Sequence, residues 1–203
     1  WSSDVCSSDL NITARAGMDF NPVALAGVNA LRIVTQERDN YRLTFSGTTA
    51  TVNYDGKLTT TNVVAGTNAI AAAYLNNRGG LPGAGGSGGT TLYILESSTS
   101  SLYVQNPPNN GTLVDAKPLG VSFTTAGGFD IDTLNNKAYA VLDVSGRGLY
   151  EISLATGAAT LVRSLPNNII DLAITLPVLL PPTLVYGLNS ANALVPFTTD
   201  STN

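Results

Sequence analysis

Residues 128–162, GFDIDTLNNKAYAVLDVSGRGLYEISLATGAATLV, decide the fold because they hold a complete run of short strand patterns separated by turn residues. The segments rich in β-branched and aromatic residues, which strands favour, are residues 129–132, 138–142, 149–154 and 159–162. The breaks at residues 134–137, 145–148 and 155–157 supply Asn or Gly, which tolerate the positive φ angles of tight hairpins. The pattern predicts four antiparallel strands in sequence order.

Similar patterns recur along the chain, at residues 17–56, 69–119 and 128–165, with a partial unit at 169–203. Equivalent second-strand positions are separated by 60, 46 and 47 residues, and they are Ile33, Tyr93, Tyr139 and Tyr186. This spacing is near the repeat of about 40–50 residues that forms one propeller blade. We therefore predict an all-β, β-propeller-like arc of about three to four four-stranded antiparallel blades, which is an incomplete propeller.

Two local interpretations depend on this register. Residues 53–56, Asn-Tyr-Asp-Gly, are predicted to form the turn that closes the first unit. The apolar run at residues 69–74 is too short for its periodicity to distinguish a helix from a strand. Its similarity to residues 169–174 favours an inner strand.

Residues 1–10, WSSDVCSSDL, share nothing with the repeat and match the in-frame translation of a sequencing-library adapter. We interpret them as an artefact, so that residues 11–203 are a propeller fragment whose native chain continues beyond both ends. This interpretation removes Trp1 and Cys6, the only Trp and the only Cys. A chain without Cys uses no disulfide, which fits an exported bacterial protein as well as a cytosolic one.

The charge of the chain argues against two classes of partner. The formal net charge is -4, from 14 acidic and 10 basic residues, and the basic residues form no block. A nucleic acid or an anionic membrane would be bound through a basic patch. The most apolar stretch, residues 172–182, is also too short and too rich in Pro to span a bilayer. We expect no nucleic-acid partner and no membrane insertion.

Acidic residues at the start of two units suggest a metal site. Asp130 and Asp132 project to one face of a predicted strand, near Asn135, and such paired oxygen ligands suit Ca²⁺. Asp19 and Asn21 repeat the arrangement in the first unit. The alternative is structural, with each Asp accepting backbone hydrogen bonds or facing a wet central channel. We predict no metal and no cofactor, and we keep Asp19, Asp130 and Asp132 as the calcium candidates.

Tyrosines fall at repeat positions, where an aromatic ring packs between adjacent blades or, alternatively, stacks on a sugar ring. They are Tyr93, Tyr103, Tyr139, Tyr150 and Tyr186.

No motif in the sequence indicates catalysis. Residues 83–89 satisfy both G-x-G-x-x-G and G-x-S-x-G, but a strand pattern follows them where a dinucleotide site needs a helix. A nucleophile elbow needs a His base, and the chain has no His. Glycan hydrolysis needs two facing carboxylates, for which Glu96, Asp143 and Glu151 are candidates. We predict that the protein is not an enzyme.

Several motifs occur together and in order: GMDFNP at 17–22, AAAYLNN at 71–77, QNPPNNGTL at 105–113, GFDI at 128–131 and LYEISLATGAAT at 149–160. With them, the chain from about Gly17 to Ile174 resembles the bacterial family called domain of unknown function 4394. The resemblance implies a β-propeller fold and an exported bacterial protein. It implies no activity, substrate or site residue.

We predict an extracytoplasmic module, extracellular or at the cell surface, with a non-catalytic role in structure or in binding a protein or a glycan. One alternative is a carbohydrate-active enzyme that uses carboxylates in the central channel. Another is a self-assembling cell-surface subunit that pairs through exposed edge strands. Facing carboxylates in a deep cleft would favour the enzyme, a shallow channel lined by Thr, Asn and Ser would favour binding, and strand pairing between chains would favour assembly.

Overall fold

The structure is a computed structural model that describes residues 12, 15–22, 29–60, 69–75, 90–132, 137–174, 184–189 and 193–198. These residues form β-strands and one short 3-10 helix, Pro108–Asn110. The strands are β1 (Ala16–Asn21), β2 (Asn29–Thr35), β3 (Asp39–Ser46), β4 (Thr49–Lys57), β5 (Ala69–Tyr74), β6 (Leu92–Glu96), β7 (Ser101–Gln105), β8 (Leu113–Pro118), β9 (Thr125–Asp132), β10 (Lys137–Asp143), β11 (Arg147–Ile152), β12 (Ala159–Ser164), β13 (Ile169–Ile174), β14 (Leu184–Asn189) and β15 (Leu194–Thr198). In the ranges just given, no helix has the length and apolar character needed to cross a membrane.

The strands form antiparallel sheets in which neighbours in sequence are neighbours in the sheet. Blade 1 is β1 to β4, blade 2 is β5 to β8, blade 3 is β9 to β12, and blade 4 is the three-stranded sheet β13 to β15. The first strand of each blade is its inner strand, and β1 packs against β5, β5 against β9, and β9 against β13. The predicted all-β, incomplete propeller-like arrangement is therefore confirmed.

The observed blades span residues 16–57, 69–118, 125–164 and 169–198, close to the predicted units. Residues 69–74 are a strand, as the similarity to residues 169–174 indicates. The largest extension is at blade 3, where β9 begins at Thr125. Arg147 and Gly148, which we expected in a turn, begin β11.

The predicted turn at residues 53–56 is wrong, because these residues continue β4. The ring of Tyr54 packs on that of Tyr41 in β3, with centroids 5.1 Å apart. The register between β3 and β4 shifts here, and Gly56 has a φ of 89°. Turn-forming residues thus supply a β-bulge inside a strand, where the same positive φ is needed.

The pairing register also corrects one predicted equivalence. Asp130 pairs with Tyr139, and Asp19 in the matching GxD motif pairs with Arg32. Arg32 is therefore the counterpart of Tyr139, whereas the prediction placed Ile33 there. A shift by one residue turns a side chain to the opposite face of the sheet. The apolar pattern of β2 concealed the fact that the side chain of Arg32 faces blade 2.

Apolar clusters fill the spaces between successive blades. Val34 of blade 1 and Leu58, which directly follows β4, pack with Tyr74 and Ile94 of blade 2. A larger cluster joins blades 2 and 3, and its members include Leu95, Leu102, Phe129, Ile131, Ala140 and Ile152. A further cluster joins blades 3 and 4 through residues that include Val141, Leu149, Ile169 and Leu172. Successive blades thus stabilise one another, and blade 1 also has an apolar cluster of its own around Ile33, Tyr41 and Leu43.

Glycines allow the inner strands to approach closely at two equivalent places. A Cβ atom added at Gly17 would lie 2.5 Å from the Cα of Ala71 in the next blade. One added at Gly128 would lie 2.4 Å from the backbone nitrogen of Leu172. Both clashes are with backbone, so a side chain at either position would separate two blades.

We predict that Gly17→Ala lowers the free energy of unfolding by about 3 kcal/mol, because the added methyl group forces two strands apart. Urea denaturation followed by circular dichroism measures this loss. Gly146→Ala is the matched control, since Gly146 has a φ of 125° and nothing within 4 Å of its added Cβ. The control tests backbone strain alone and should cost about 1 kcal/mol. Equal losses in the two variants would contradict the close approach of β1 and β5.

Candidate functional site

The inner strands of the four blades line one cavity of about 490 Å³. Most of its wall is Gly, Ala and strand backbone, including Gly17, Ala71, Ala72, Gly127 and Gly128. The charged residues in the wall are Asp19, Asp130, Asp171 and Arg15. Among the described residues, the wall of this central cavity thus contains carboxylates and lacks the Thr, Asn and Ser lining that would favour the binding interpretation.

Asp19 joins blade 1 to blade 2 through its carboxylate. Its Oδ2 accepts a hydrogen bond from the backbone N–H of Tyr74, at 2.6 Å, on the inner strand of blade 2. Its Oδ1 accepts from the N–H of Phe20, at 2.7 Å, on its own strand. One side chain therefore satisfies backbone donors on two blades.

Asp130 repeats this arrangement between blades 3 and 4. Its Oδ2 accepts from the N–H of Ile174 at 2.7 Å, and its Oδ1 accepts from the N–H of Ile131 at 2.7 Å. We call Asp19 and Asp130 the shared carboxylates. An inner strand pairs with another strand on one side only, so its remaining N–H groups need acceptors from elsewhere.

The backbone N–H groups that donate to the shared carboxylates occupy the same register position in all four blades. Asp19, Ala73, Asp130 and Ala173 each pair with the equivalent residue of the second strand. The donors are the residues that follow these positions: Phe20, Tyr74, Ile131 and Ile174. Blades 1 and 3 thus supply an Asp, whereas blades 2 and 4 have Ala in its place.

The shared carboxylates have raised pKa values. Burial disfavours the charged form of Asp19 and raises its pKa from 3.8 to about 7, against the lowering effect of the Tyr74 N–H and with added repulsion from Asp130. Burial likewise raises the pKa of Asp130 from 3.8 to about 6, against its two N–H donors and with repulsion from Asp171 and Asp132. These carboxyls therefore titrate near neutral pH.

The described residues do not complete a calcium site, although Asp171 also lines the cavity. Asp132 is buried, with 4% of its surface exposed, and it is not among the described residues that line the cavity. Asn135 lies outside the described residues. Among those described, no group of three or more His, Cys, Asp or Glu side chains is placed to hold a metal ion. Calcium binding stays a prediction.

The tyrosines lie between blades. Tyr103, Tyr139 and Tyr150 are buried, and Tyr93 is partly buried against the cluster that joins blades 2 and 3. None of these tyrosines lines the central cavity as the structure describes it. The side chain of Tyr186 lies outside the described residues. The packing position is the one we expected, and it leaves these four rings unavailable as a surface for stacking sugars.

The three carboxylates considered for catalysis occupy separate places. Glu96 is 1% exposed, and it accepts hydrogen bonds from the N–H groups of Ser98 and Thr99 in a turn. Glu151 pairs with Lys137 at 3.2 Å, and Asp143 lies 3.6 Å from Arg147. Glu96, Asp143 and Glu151 are not among the described residues that line the central cavity.

A buried polar cluster between blades 1 and 2 was missed by the sequence analysis. Arg32 is 2% exposed, and its Nη1 donates to the side-chain oxygens of Asn40 and Asp55, each at 2.8 Å. Its Nη2 donates at 2.7 Å to the side-chain oxygen of Asn109, in the 3-10 helix before β8. Gln105 of blade 2 also donates to Asn40, at 3.1 Å. The signal in the sequence was the single Arg within the apolar run LRIV.

We predict that the free energy of unfolding falls as pH rises from about 4 to about 7. The shared carboxyls bind protons more tightly in the folded chain than at their unfolded value of 3.8, so the folded state is favoured at low pH. For Asp130 the loss is on the order of 3 kcal/mol, since one pKa unit corresponds to about 1.4 kcal/mol.

Denaturation at pH 5 and pH 8 tests this prediction, with Asp130→Asn expected to show a smaller loss than the parent chain. Glu37→Gln is the control because the Glu37 side chain is exposed in the turn between β2 and β3. The prediction is wrong if Asp130→Asn keeps the full dependence on pH.

Comparison with known proteins agrees with the motifs. The model of the family described as a domain of unknown function (DUF4394) matches residues 2–173, which is most of the chain. The matched range includes residues 2–10, whose interpretation as an artefact stays a prediction. No curated protein matches the chain. On the strength of the family match, the chain belongs to the DUF4394 family.

Proposed function

We propose that this protein is a non-catalytic module that works outside the cytoplasm, in a structural or interaction role. The observation that carries the proposal is the use of the cavity carboxylates. Both oxygens of Asp19 and both oxygens of Asp130 accept backbone N–H groups of the inner strands. These side chains hold blades together, which is a structural task.

The enzyme hypothesis has one supporting observation, which is the pair of raised pKa values in a cavity. A general acid or base must also reach the substrate with a free oxygen lone pair and change its protonation during the reaction. Ionising or protonating Asp19 or Asp130 would alter the bonds that align the blades. The carboxylates nominated from sequence are likewise bound elsewhere, Glu96 in a turn and Glu151 by Lys137. This combination favours a scaffold over a hydrolase.

The extracytoplasmic location rests on the family resemblance, since a chain without Cys fits an exported protein as well as a cytosolic one. A structural or interaction role also agrees with the way in which the described apolar surface is distributed. Met18, Phe20 and Tyr54 in blade 1 are each more than half exposed, so this blade has a surface suited to contact.

We predict that the purified chain releases no reducing sugar from a panel of α- and β-linked polysaccharides. Asp19→Ala and Asp130→Ala should each lower the free energy of unfolding by about 1–3 kcal/mol, because a buried N–H loses its acceptor. Reducing-end assays and urea denaturation measure the two effects. Glu37→Ala, at an exposed carboxylate in the turn between β2 and β3, is the matched control and should be nearly neutral.

Hydrolysis that disappears in Asp130→Asn, while the circular dichroism spectrum is retained, would decide for the enzyme. Full stability in both Asp→Ala variants would remove the structural role of the shared carboxylates.

A further inference from the structure

Two of the three contacts between successive blades have an ionisable side chain at their inner edge. Asp19 accepts the N–H of Tyr74 across the contact of blade 1 with blade 2, and Asp130 accepts the N–H of Ile174 across the contact of blade 3 with blade 4. Blade 2 has Ala73 at this register position, and its contact with blade 3 is filled by an apolar cluster. We call the two contacts that contain a shared carboxylate the acidic joints.

Backbone hydrogen bonds also connect blades 1 and 2 on their outer side. The N–H of Thr59 donates to the carbonyl oxygen of Gly111 at 2.8 Å, and the N–H of Leu113 donates to that of Thr59 at 2.7 Å. Thr59 lies just after β4 and Leu113 begins β8, which are the outermost strands of their blades. Neither bond involves a group that titrates. A change at Asp19 therefore acts on the inner edge of this contact while the outer side stays connected.

The shared carboxylates lie in the wall of one cavity together with a third carboxyl, that of Asp171 on β13. Asp19 and Asp130 repel each other when both are charged, and Asp171 adds to the repulsion on Asp130. Arg15 is the cation in the described part of the wall. The other charged or titratable groups on β1, on β9 and on the strands packed against them are Arg32, Tyr74, Asp132, Lys137, Tyr139 and Asp143.

Two of the cations near the joints are paired with carboxylates outside the cavity. The Nη1 of Arg32 lies 2.8 Å from Asp55, and the Nζ of Lys137 lies 3.2 Å from Glu151. Neither Asp55 nor Glu151 is among the described residues that line the cavity. Water that enters the cavity is therefore a better source of solvation for the ionised shared carboxylates than these two cations.

Ionisation of a shared carboxylate has two opposite effects on its joint. A charged oxygen accepts N–H groups more strongly, which favours a closed inner edge. A buried charge also loses its hydration, which favours an inner edge that admits water. Burial is the larger effect at Asp19 and at Asp130, because the pKa of each is raised in spite of its N–H donors. Ionisation therefore favours opening of the inner edge.

The sequence leaves few other sources for a response to pH near neutrality. The chain contains no His, which is the side chain whose ordinary pKa lies between about 5 and 8. An α-amino group and a Cys thiol ordinarily titrate at about 8 or above, and both belong to residues 1–10 of this chain. A response of the inner strands between pH 5 and pH 8 is thus assigned to the buried carboxyls.

We propose that the acidic joints are a pH-sensitive device, in which ionisation of Asp19 and Asp130 opens the inner edges of two blade contacts to water and protonation closes them. The contact of blade 2 with blade 3 keeps its geometry, because it has Ala73 at the shared position. The central cavity is then wider at neutral pH than in acid, since both shared carboxylates lie in its wall. This inference goes beyond the proposed structural role, because it makes two of the three contacts conditional on pH.

Amide hydrogen exchange of the ¹⁵N-labelled full chain, followed by NMR at pH 5 and pH 8, tests the proposal. Each exchange rate is divided by the intrinsic rate at that pH to give a protection factor. Protection of the Tyr74 and Ile174 N–H groups should fall about tenfold or more beyond any fall at Leu113 and Ala159. Ala159 is the reporter for the contact of blade 2 with blade 3, because its N–H donates to Leu119, just after β8, at 2.8 Å.

The other outcomes of this measurement overturn the proposal. An equal fall at all four amides would assign the response to global unfolding. Constant or increased protection of Tyr74 and Ile174 would show that the stronger N–H bonds of the charged carboxylates outweigh their burial.

Exchanging one carboxyl at a time assigns each response to its joint. Asp19→Asn keeps a side-chain oxygen as an acceptor but does not ionise, so it should remove the additional loss of protection at Tyr74 and retain that at Ile174. Asp130→Asn should have the converse effect. Glu37→Gln is the matched control, at an exposed carboxylate, and should retain both responses. Unchanged responses in both Asp→Asn variants would overturn the proposal.

A second measurement on the parent chain tests the proposal even if the Asp→Asn variants do not fold. The amide chemical shifts of Tyr74 and Ile174 should titrate with midpoints of about 7 and about 6, the pKa values of the carboxyls that accept them. Shifts that stay constant between pH 5 and pH 8 would show that the carboxyls do not change charge in this range, which would overturn the proposal. Because neither measurement involves a glycan, their failure is distinguishable from a failure of the non-catalytic assignment.

Discussion

The fold depends on how the inner strands satisfy backbone groups that no neighbouring strand can reach. Each inner strand has a sheet partner on one side only, and the N–H at one register position is left to a side chain. Asp19 and Asp130 each accept two such groups, one from their own strand and one from the next blade. The glycine two residues earlier in each strand makes this contact possible, because any Cβ there would meet the backbone of the next blade. The raised pKa values follow from placing a carboxyl in so enclosed a position.

The contacts between blades consequently differ in kind. The contacts of blade 1 with blade 2 and of blade 3 with blade 4 contain a shared carboxylate, and the first of these also contains the buried Arg32 cluster. The contact between blades 2 and 3 has Ala73 where an Asp would stand, and it is filled by the apolar cluster around Leu95 and Phe129. All three contacts contain apolar packing, and the contacts of blade 1 with blade 2 and of blade 3 with blade 4 add a shared carboxylate to it.

The sequence was sufficient for the all-β class, for the propeller-like order of blades and for most strand positions, because alternating apolar residues and turn residues are local signals. It failed where a local signal had a second use, as in residues 53–56, where turn-forming residues build a bulge within β4. The recurrence of Asp19 and Asp130 drew attention to the right residues. Their partners, Tyr74 and Ile174, offer only backbone N–H groups, which leave no mark in a sequence. The buried role of Arg32 depends on Asn109, which is 77 positions away in the sequence, and only the tertiary structure shows it.

The sharing of one carboxyl by two strands has a consequence for how such a chain can evolve. The smallest unit that satisfies every backbone N–H donor at this position is a pair of blades. Gly17 and Gly128 occupy the same position in two successive pairs, and they are 111 residues apart. Insertion or deletion of a single blade would bring two Ala strands together and leave an N–H without its acceptor, or would bring two Asp strands together and leave a surplus buried carboxyl. Gene duplication should therefore proceed in steps of one pair, and closed rings of this type should have an even number of blades.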